Sequence, residues 1–169
     1  LNLKKTDELL KARDLLDYGD PLIIATDTVP GLSVSLKSSE SYVKLLKLKG
    51  YKEDRPFTWH FPSISALQKT LRTLPPGISK WLEEVLTKKC TVIVPKEWLI
   101  MPENIKWPFP NIGIRVPQNI EWQTLFKGIA TPVLATSANK KGNKPLTGKE
   151  LKDWATSKKI NYSKEAILL

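Results

Sequence analysis

Cysteine and histidine occur once each in this 169-residue chain, and arginine only four times. Cys90 alone excludes an internal disulfide and a multi-thiolate metal site. Within the apolar run Cys90-Thr91-Val92-Ile93-Val94 it reads as a buried, inert thiol rather than a nucleophile. With His60 as the single histidine, a histidine-based metal cage is excluded. No apolar run approaches the ~20 residues of a membrane-spanning helix. The first ten residues, LNLKKTDELL, carry no signal-peptide pattern, which predicts a cytoplasmic protein with no membrane partner. There is no G-x-S-x-G elbow, no P-loop lysine motif and no H-E-x-x-H pair, so no catalytic dyad is legible. Internal repeats and low-complexity linkers are also absent.

What is abundant is positive charge. The chain has 27 basic and 17 acidic residues, a net charge of +10, and most of the basic residues are lysine. Such a balance favours polyanionic partners, whether nucleic acid, nucleotide phosphates or anionic membrane; the plainer reading is lysine spread over solvated faces. The arginines, Arg13, Arg55, Arg72 and Arg115, are more informative, because arginine grips phosphate or carboxylate in a bidentate way. A hydrophobic content of 41% with 26% charged residues fits one soluble globular domain over residues 1–169.

The central stretch is Pro21–Leu32, PLIIATDTVPGL. Leu22-Ile23-Ile24-Ala25 is short and uncharged, as in a strand buried on both faces. It breaks into Thr26-Asp27-Thr28, and Pro30-Gly31 turns the chain. Polar groups delivered by a buried strand to an open turn are where α/β sheets usually bind ligands. From this stretch alone an ordinary strand exit, with Asp27 and the threonines satisfying turn amides, is the better reading.

The remaining chain alternates helices and strands. Thr6 is expected to cap a first helix that ends at Gly19, and Ser38 or Ser39 a second through Lys49, with Val43 and Leu46 inward and Gly50 as its stop. Residues 49–56 are too charged for a core and predict an exposed loop. Phe57–Phe61 alternates as a strand, in which a lone histidine is more often a structural hydrogen-bonder than a ligand. Ser63 should cap a helix carrying Ile64, Leu67, Leu71 and Leu74 on one face, and Ser79 another to about Leu86. Cys90–Val94 is a strand. Residues 97–111 read as a long surface loop whose aromatics pack on the body; a stacking platform for bases is the less favoured alternative. Ile112–Pro117 is a strand whose Arg115 needs an anionic partner, such as a ligand carboxylate. Asn119 should cap a helix to Gly128. Pro132–Ala135 is another buried strand, ending in Thr136-Ser137-Ala138-Asn139 and a basic loop, Lys140–Lys144. Thr147-Gly148-Lys149-Glu150 is a capping box for a last helix to about Thr156. The class is therefore α/β, with residues 26–28, 49–55 and 136–139 suggesting one anion-binding cleft for a phosphorylated ligand.

In order and spacing these segments resemble the YrdC-type threonylcarbamoyl-adenylate synthases. That family carries a TDTVYGL-like turn, a KxR loop with a following Lys-Pro pair, a GPxT strand, a (V/I)G(V/I)RVP strand and an ATSAN segment followed by Ser-Gly, Pro and Thr. The matching residues are Thr26–Leu32, Lys49-Gly50-Tyr51, Arg55-Pro56, Thr91, Ile112–Pro117, and Ala135–Asn139 through Gly142, Pro145 and Thr147. The resemblance implies a twisted open mixed sheet with flanking helices and a concave basic face. It implies ATP, L-threonine and bicarbonate as substrates, Mg2+ as cofactor, and threonylcarbamoyl-AMP and pyrophosphate as products. It also implies proteins that pass the threonylcarbamoyl group to an adenosine beside the tRNA anticodon.

Carried over residue by residue, Lys49 and Arg55 are the catalytic phosphate contacts. ATP falls to Lys49, Tyr51, Arg55, Ser137, Asn139 and Thr147, and threonine to Thr28, His60 and Arg115. No metal ligand is carried over. Three departures stand out: Tyr51 replaces the KxR arginine, Lys88-Lys89 replaces Gly-Pro, and the chain ends before the family's C-terminal Ser-Thr-Val segment. Tyr51 and the short end leave an impaired activity open. The alternatives are a non-catalytic relative that binds tRNA or double-stranded RNA, and a carbamoyl-adenylating relative.

Overall fold

The computed structural model describes residues 3–127 and 131–168. Seven strands form one mixed sheet in the order β4-β5-β3-β6-β2-β1-β7. They are β1 (Leu22–Ile24), β2 (Gly31–Ser35), β3 (Thr58–His60), β4 (Val92–Pro95), β5 (Asn111–Arg115), β6 (Val133–Ser137) and β7 (Asn161–Tyr162). The helices are α1 (Leu3–Asp17), α2 (Ser39–Lys49), α3 (Ile64–Gln68), α4 (Pro76–Leu86), α5 (Ile120–Leu125), α6 (Gly148–Ser157) and α7 (Lys164–Leu168). Strand β3 runs parallel to β5, and β1 to β7; the other neighbours are antiparallel. This is the α/β class and mixed sheet expected from the sequence.

Helices lie on both faces because β1 is apolar on both. Alternate residues of a strand point to opposite sides. Leu22 and Ile24 pack with Ala12 and Leu16 of α1 and Trp122 and Leu125 of α5. Ile23 points into the main core, with Leu45 of α2, Leu82 and Leu86 of α4, and Leu151 and Trp154 of α6. The loop over residues 97–111 packs its aromatics as expected. Trp107 is buried, meets Tyr42 and Trp59 edge-on at 5.6 and 5.5 Å, and donates its Nε1–H to the Asn111 carbonyl at 3.0 Å.

Several boundaries differ from expectation. Helix α1 begins at Leu3, ahead of Thr6, and closes as predicted, with Gly19 at φ +79°. In α2 the buried face is Tyr42, Leu45 and Lys49, while Val43 points to solvent. Helix α3 stops at Gln68: the Thr70 hydroxyl donates to the Leu67 carbonyl, and Leu71 leaves the helix to bridge Leu99. Helix α4 starts at Pro76, whose fixed φ suits the first turn, rather than at Ser79. Strand β4 starts at Val92, so Cys90 is only half-buried, its thiol donating to the Val85 carbonyl at 3.1 Å. Asn119 precedes α5 without a side-chain cap, and Gly128, expected to end that helix, lies outside the described residues. Thr147 likewise precedes α6 with no side-chain cap bond. Beyond α6 the tail adds β7 and α7 instead of trailing off.

Candidate functional site

The four central strands carry small or polar residues on one face and bulky apolar ones on the other. Ser33 pairs with Ala135, Ala135 with Thr58, and Thr58 with Gly113. One step along, Gly31 faces Ser137, and His60 lies between Val133 and Arg115. The alternate residues, Leu32, Val34, Trp59, Ile112, Ile114 and Leu134, fill the main core. Helices α1 and α5 cover one end of this face, from Leu22 and Ile24 of β1 to Val133 of β6 and His60 of β3. Over the rest a hollow of about 210 Å3 remains, lined by Thr26, Thr28, Gly31, Thr58, His60, Arg115 and Ser137 among others. Glycine keeps its floor low at Gly31, where a Cβ would meet Thr26 Cγ2 at 3.2 Å.

The 26–28 turn is folded by its own side chains. The Thr26 hydroxyl donates to the Val29 carbonyl at 2.8 Å and accepts from the Thr28 amide at 3.3 Å. This turn swings Asp27 toward β5. Arg115 Nη2 donates to Asp27 Oδ1 at 2.6 Å, and the Gln118 amide to Oδ2 at 3.4 Å. The anionic partner that Arg115 required is thus Asp27, and both side chains are largely buried. Arg115 Nε is buried and has no hydrogen-bond partner among the described residues.

His60 is buried, its ring 5.5 Å from that of Trp122. Burial, helped by the Arg115 charge, pushes its pKa down to about 4. The ring is therefore neutral at pH 7. Nδ1 lies 3.3 Å from the Thr58 carbonyl, which can only accept, so Nδ1 carries the proton and Nε2 is left as an acceptor.

Lys49 departs most from its expected role as a phosphate contact. It is only 4% exposed, and burial lowers its pKa to about 8. Its ammonium donates to the Ser137 and Asn139 carbonyls at 2.9 and 2.8 Å and to Asn139 Oδ1. Its three protons are thus spent on the 137–139 segment. Ser137 Oγ also donates to Asn139 Oδ1 at 3.1 Å.

Tyr42 anchors the 49–55 loop, its hydroxyl accepting from the Arg55 amide at 2.9 Å; burial raises its pKa to about 12. The Tyr51 ring has the Arg55 guanidinium 5.7 Å and the Lys141 ammonium 5.5 Å from its centre.

The hollow accordingly gathers Thr28, His60, Arg115 and Ser137. Lys49 and Asn139 sit behind its wall, and Tyr51 and Arg55 lie on the loop that leads into the lining residue Pro56. Thr147 is exposed at the start of α6 and does not line it. Tyr42 is not among the expected site residues, and Asp27 is expected only as part of the 26–28 turn. A buried arginine in β5 was the signal for an acidic partner. Nothing local marked Tyr42. Among the described residues no group of three or more His, Cys, Asp or Glu side chains could hold a metal ion. No helix among the described residues is long and apolar enough to cross a membrane.

The family model Sua5/YciO/YrdC, described as "Telomere recombination", matches residues 14–162. The threonylcarbamoyl-AMP synthase of Bacillus subtilis (strain 168) is 24% identical over 143 residues, 85% of this chain and 41% of that protein. Among solved structures, P. abyssi Sua5 complexed with L-threonine superposes with a TM-score of 0.76 at 20% identity, over 93% of this chain and 46% of that one. E. coli YciO gives 0.73 at 18%, over 93% and 76%. The chain spans less than half the length of the synthase and of the Sua5 chain. With its seven-stranded mixed sheet and a family match over most of its length, the chain belongs to the Sua5/YciO/YrdC family.

Proposed function

We propose that this chain forms L-threonylcarbamoyl-AMP and pyrophosphate from ATP, L-threonine and bicarbonate, for threonylcarbamoylation of tRNA by partner proteins. The observation that carries this reading is the convergence of Thr28, His60, Arg115 and Ser137 on one hollow of about 210 Å3. That volume is below the roughly 300–1,000 Å3 of drug-sized pockets, so it suits an amino acid and leaves a nucleotide to the rim. Arg115, held by Asp27 and lining the hollow, would take the threonine carboxylate. Neutral His60 offers Nε2 to a threonine hydroxyl or amine proton. The threonine amine would add to CO2 released from bicarbonate, its proton joining the departing hydroxide as water, and an oxygen of the resulting carbamate would attack the α-phosphorus as the bond to pyrophosphate breaks. Such a displacement depends on positioning and charge neutralisation and needs no nucleophilic side chain. Arg55 supplies charge at the rim. Lys49 would act through Ser137 and Asn139 as a positioning residue.

The test is to incubate the protein with ATP, L-threonine and bicarbonate, following pyrophosphate release and the mass of the nucleotide product. Threonylcarbamoyl-AMP that depends on all three substrates is expected. Tight, salt-sensitive tRNA binding without ATP binding would favour the non-catalytic RNA-binding reading instead.

A further inference from the structure

The Tyr51 ring has two cations from separate loops within about 6 Å of its centre, and neither is ion-paired among the described residues. Arg55 is local, but Lys141 reaches the ring from 90 residues away, and its placement is built. Lys49 fixes Asn139, and the Asn139 side-chain amide in turn donates to the Asn143 carbonyl. Between them a tight turn closes through the Asn143 amide on the Lys140 carbonyl at 3.0 Å, with Gly142 at φ +78°. Only glycine adopts that conformation readily, and Lys141 precedes it directly. On the other side, Tyr51 follows Lys49 by two residues and its ring leans on Phe57 at 6.2 Å. Lys49 therefore sets both halves of the contact.

Tyr51 stands where the KxR motif carries its arginine, and Lys141 directly precedes the loop's Gly142. A tyrosine face attracts a cation, so losing positive charge at one position is matched by recruiting it from the other. We infer that Lys141, seated on the same Tyr51 ring as Arg55, is a polyphosphate-binding residue of this chain, supplying the cation that position 51 lacks. Two cations held on one ring repel each other, and a polyanion bridging them relieves that repulsion. This inference rests on the nucleotide reading above.

Calorimetry with inorganic triphosphate and with ATP tests it. Lys141→Ser is expected to weaken both by about tenfold while leaving L-threonine binding unchanged. Lys140→Ser, one residue away but off the ring, should stay within about twofold of wild type. Tyr51→Arg in the Lys141→Ser background should recover most of the loss, because it restores the cation at the other position. Tyr51→Leu should weaken triphosphate binding by removing the seat of Lys141. If wild type binds triphosphate and ATP and Lys141→Ser binds them equally well, this inference fails and the nucleotide reading stands. If wild type binds neither at low salt, both fail.

Discussion

Arg115 and Asp27, 88 residues apart, are joined by a 2.6 Å ion pair at the edge of the hollow, with side chains 12% and 4% exposed. Removing one partner leaves a buried, uncompensated charge. Arg115→Ala is therefore expected to lower stability by about 3 kcal/mol or more, and Asp27→Asn by less, since the amide oxygen still accepts from Arg115. Denaturant unfolding of the two variants checks the order.

Lys49 gives the second prediction. Replacing it by methionine keeps the apolar stem but strips hydrogen bonds from the Ser137 carbonyl, the Asn139 carbonyl and Asn139 Oδ1. An expected loss of roughly 2 kcal/mol follows from the buried acceptors left unpaired. Faster amide exchange at Asn143, whose turn hangs from Asn139, should accompany it. Arginine should not rescue, because a planar fork cannot point three donors at acceptors clustered around one atom.

His60 makes stability depend on pH. Its folded pKa of about 4 lies below the ordinary value of 6.5, so between these values the unfolded chain binds more protons. Stability is then full above about pH 6.5 and falls as the solution is acidified toward pH 4, by up to roughly 3 kcal/mol. His60→Gln should flatten that limb of the stability–pH curve.

The large features were legible in the sequence because they rest on local rules. The uncharged run at 22–25 could only be a strand covered on both sides. Gly19 and Gly50 ended helices where they stood. The polar ends of two buried strands marked the hollow's rim. What escaped depended on contacts between distant segments. Lys49 closes a lysine-rich helix and reads as solvated, yet the 137–139 carbonyls draw it inside. Arg115 announced a need for an anion, but Asp27 looked like a turn residue until the sheet brought β5 beside it. The two-residue β7 is too short to show a period and exists because β1 offers it an edge.

Titration of L-threonine by calorimetry tests the central claim most directly. One equivalent should bind wild type, and binding should weaken by about tenfold or more in the near-isosteric Thr28→Val and in Arg115→Met, the latter read only where it remains folded. No binding to wild type, or binding that neither substitution alters, would contradict the assignment of this hollow to an amino acid.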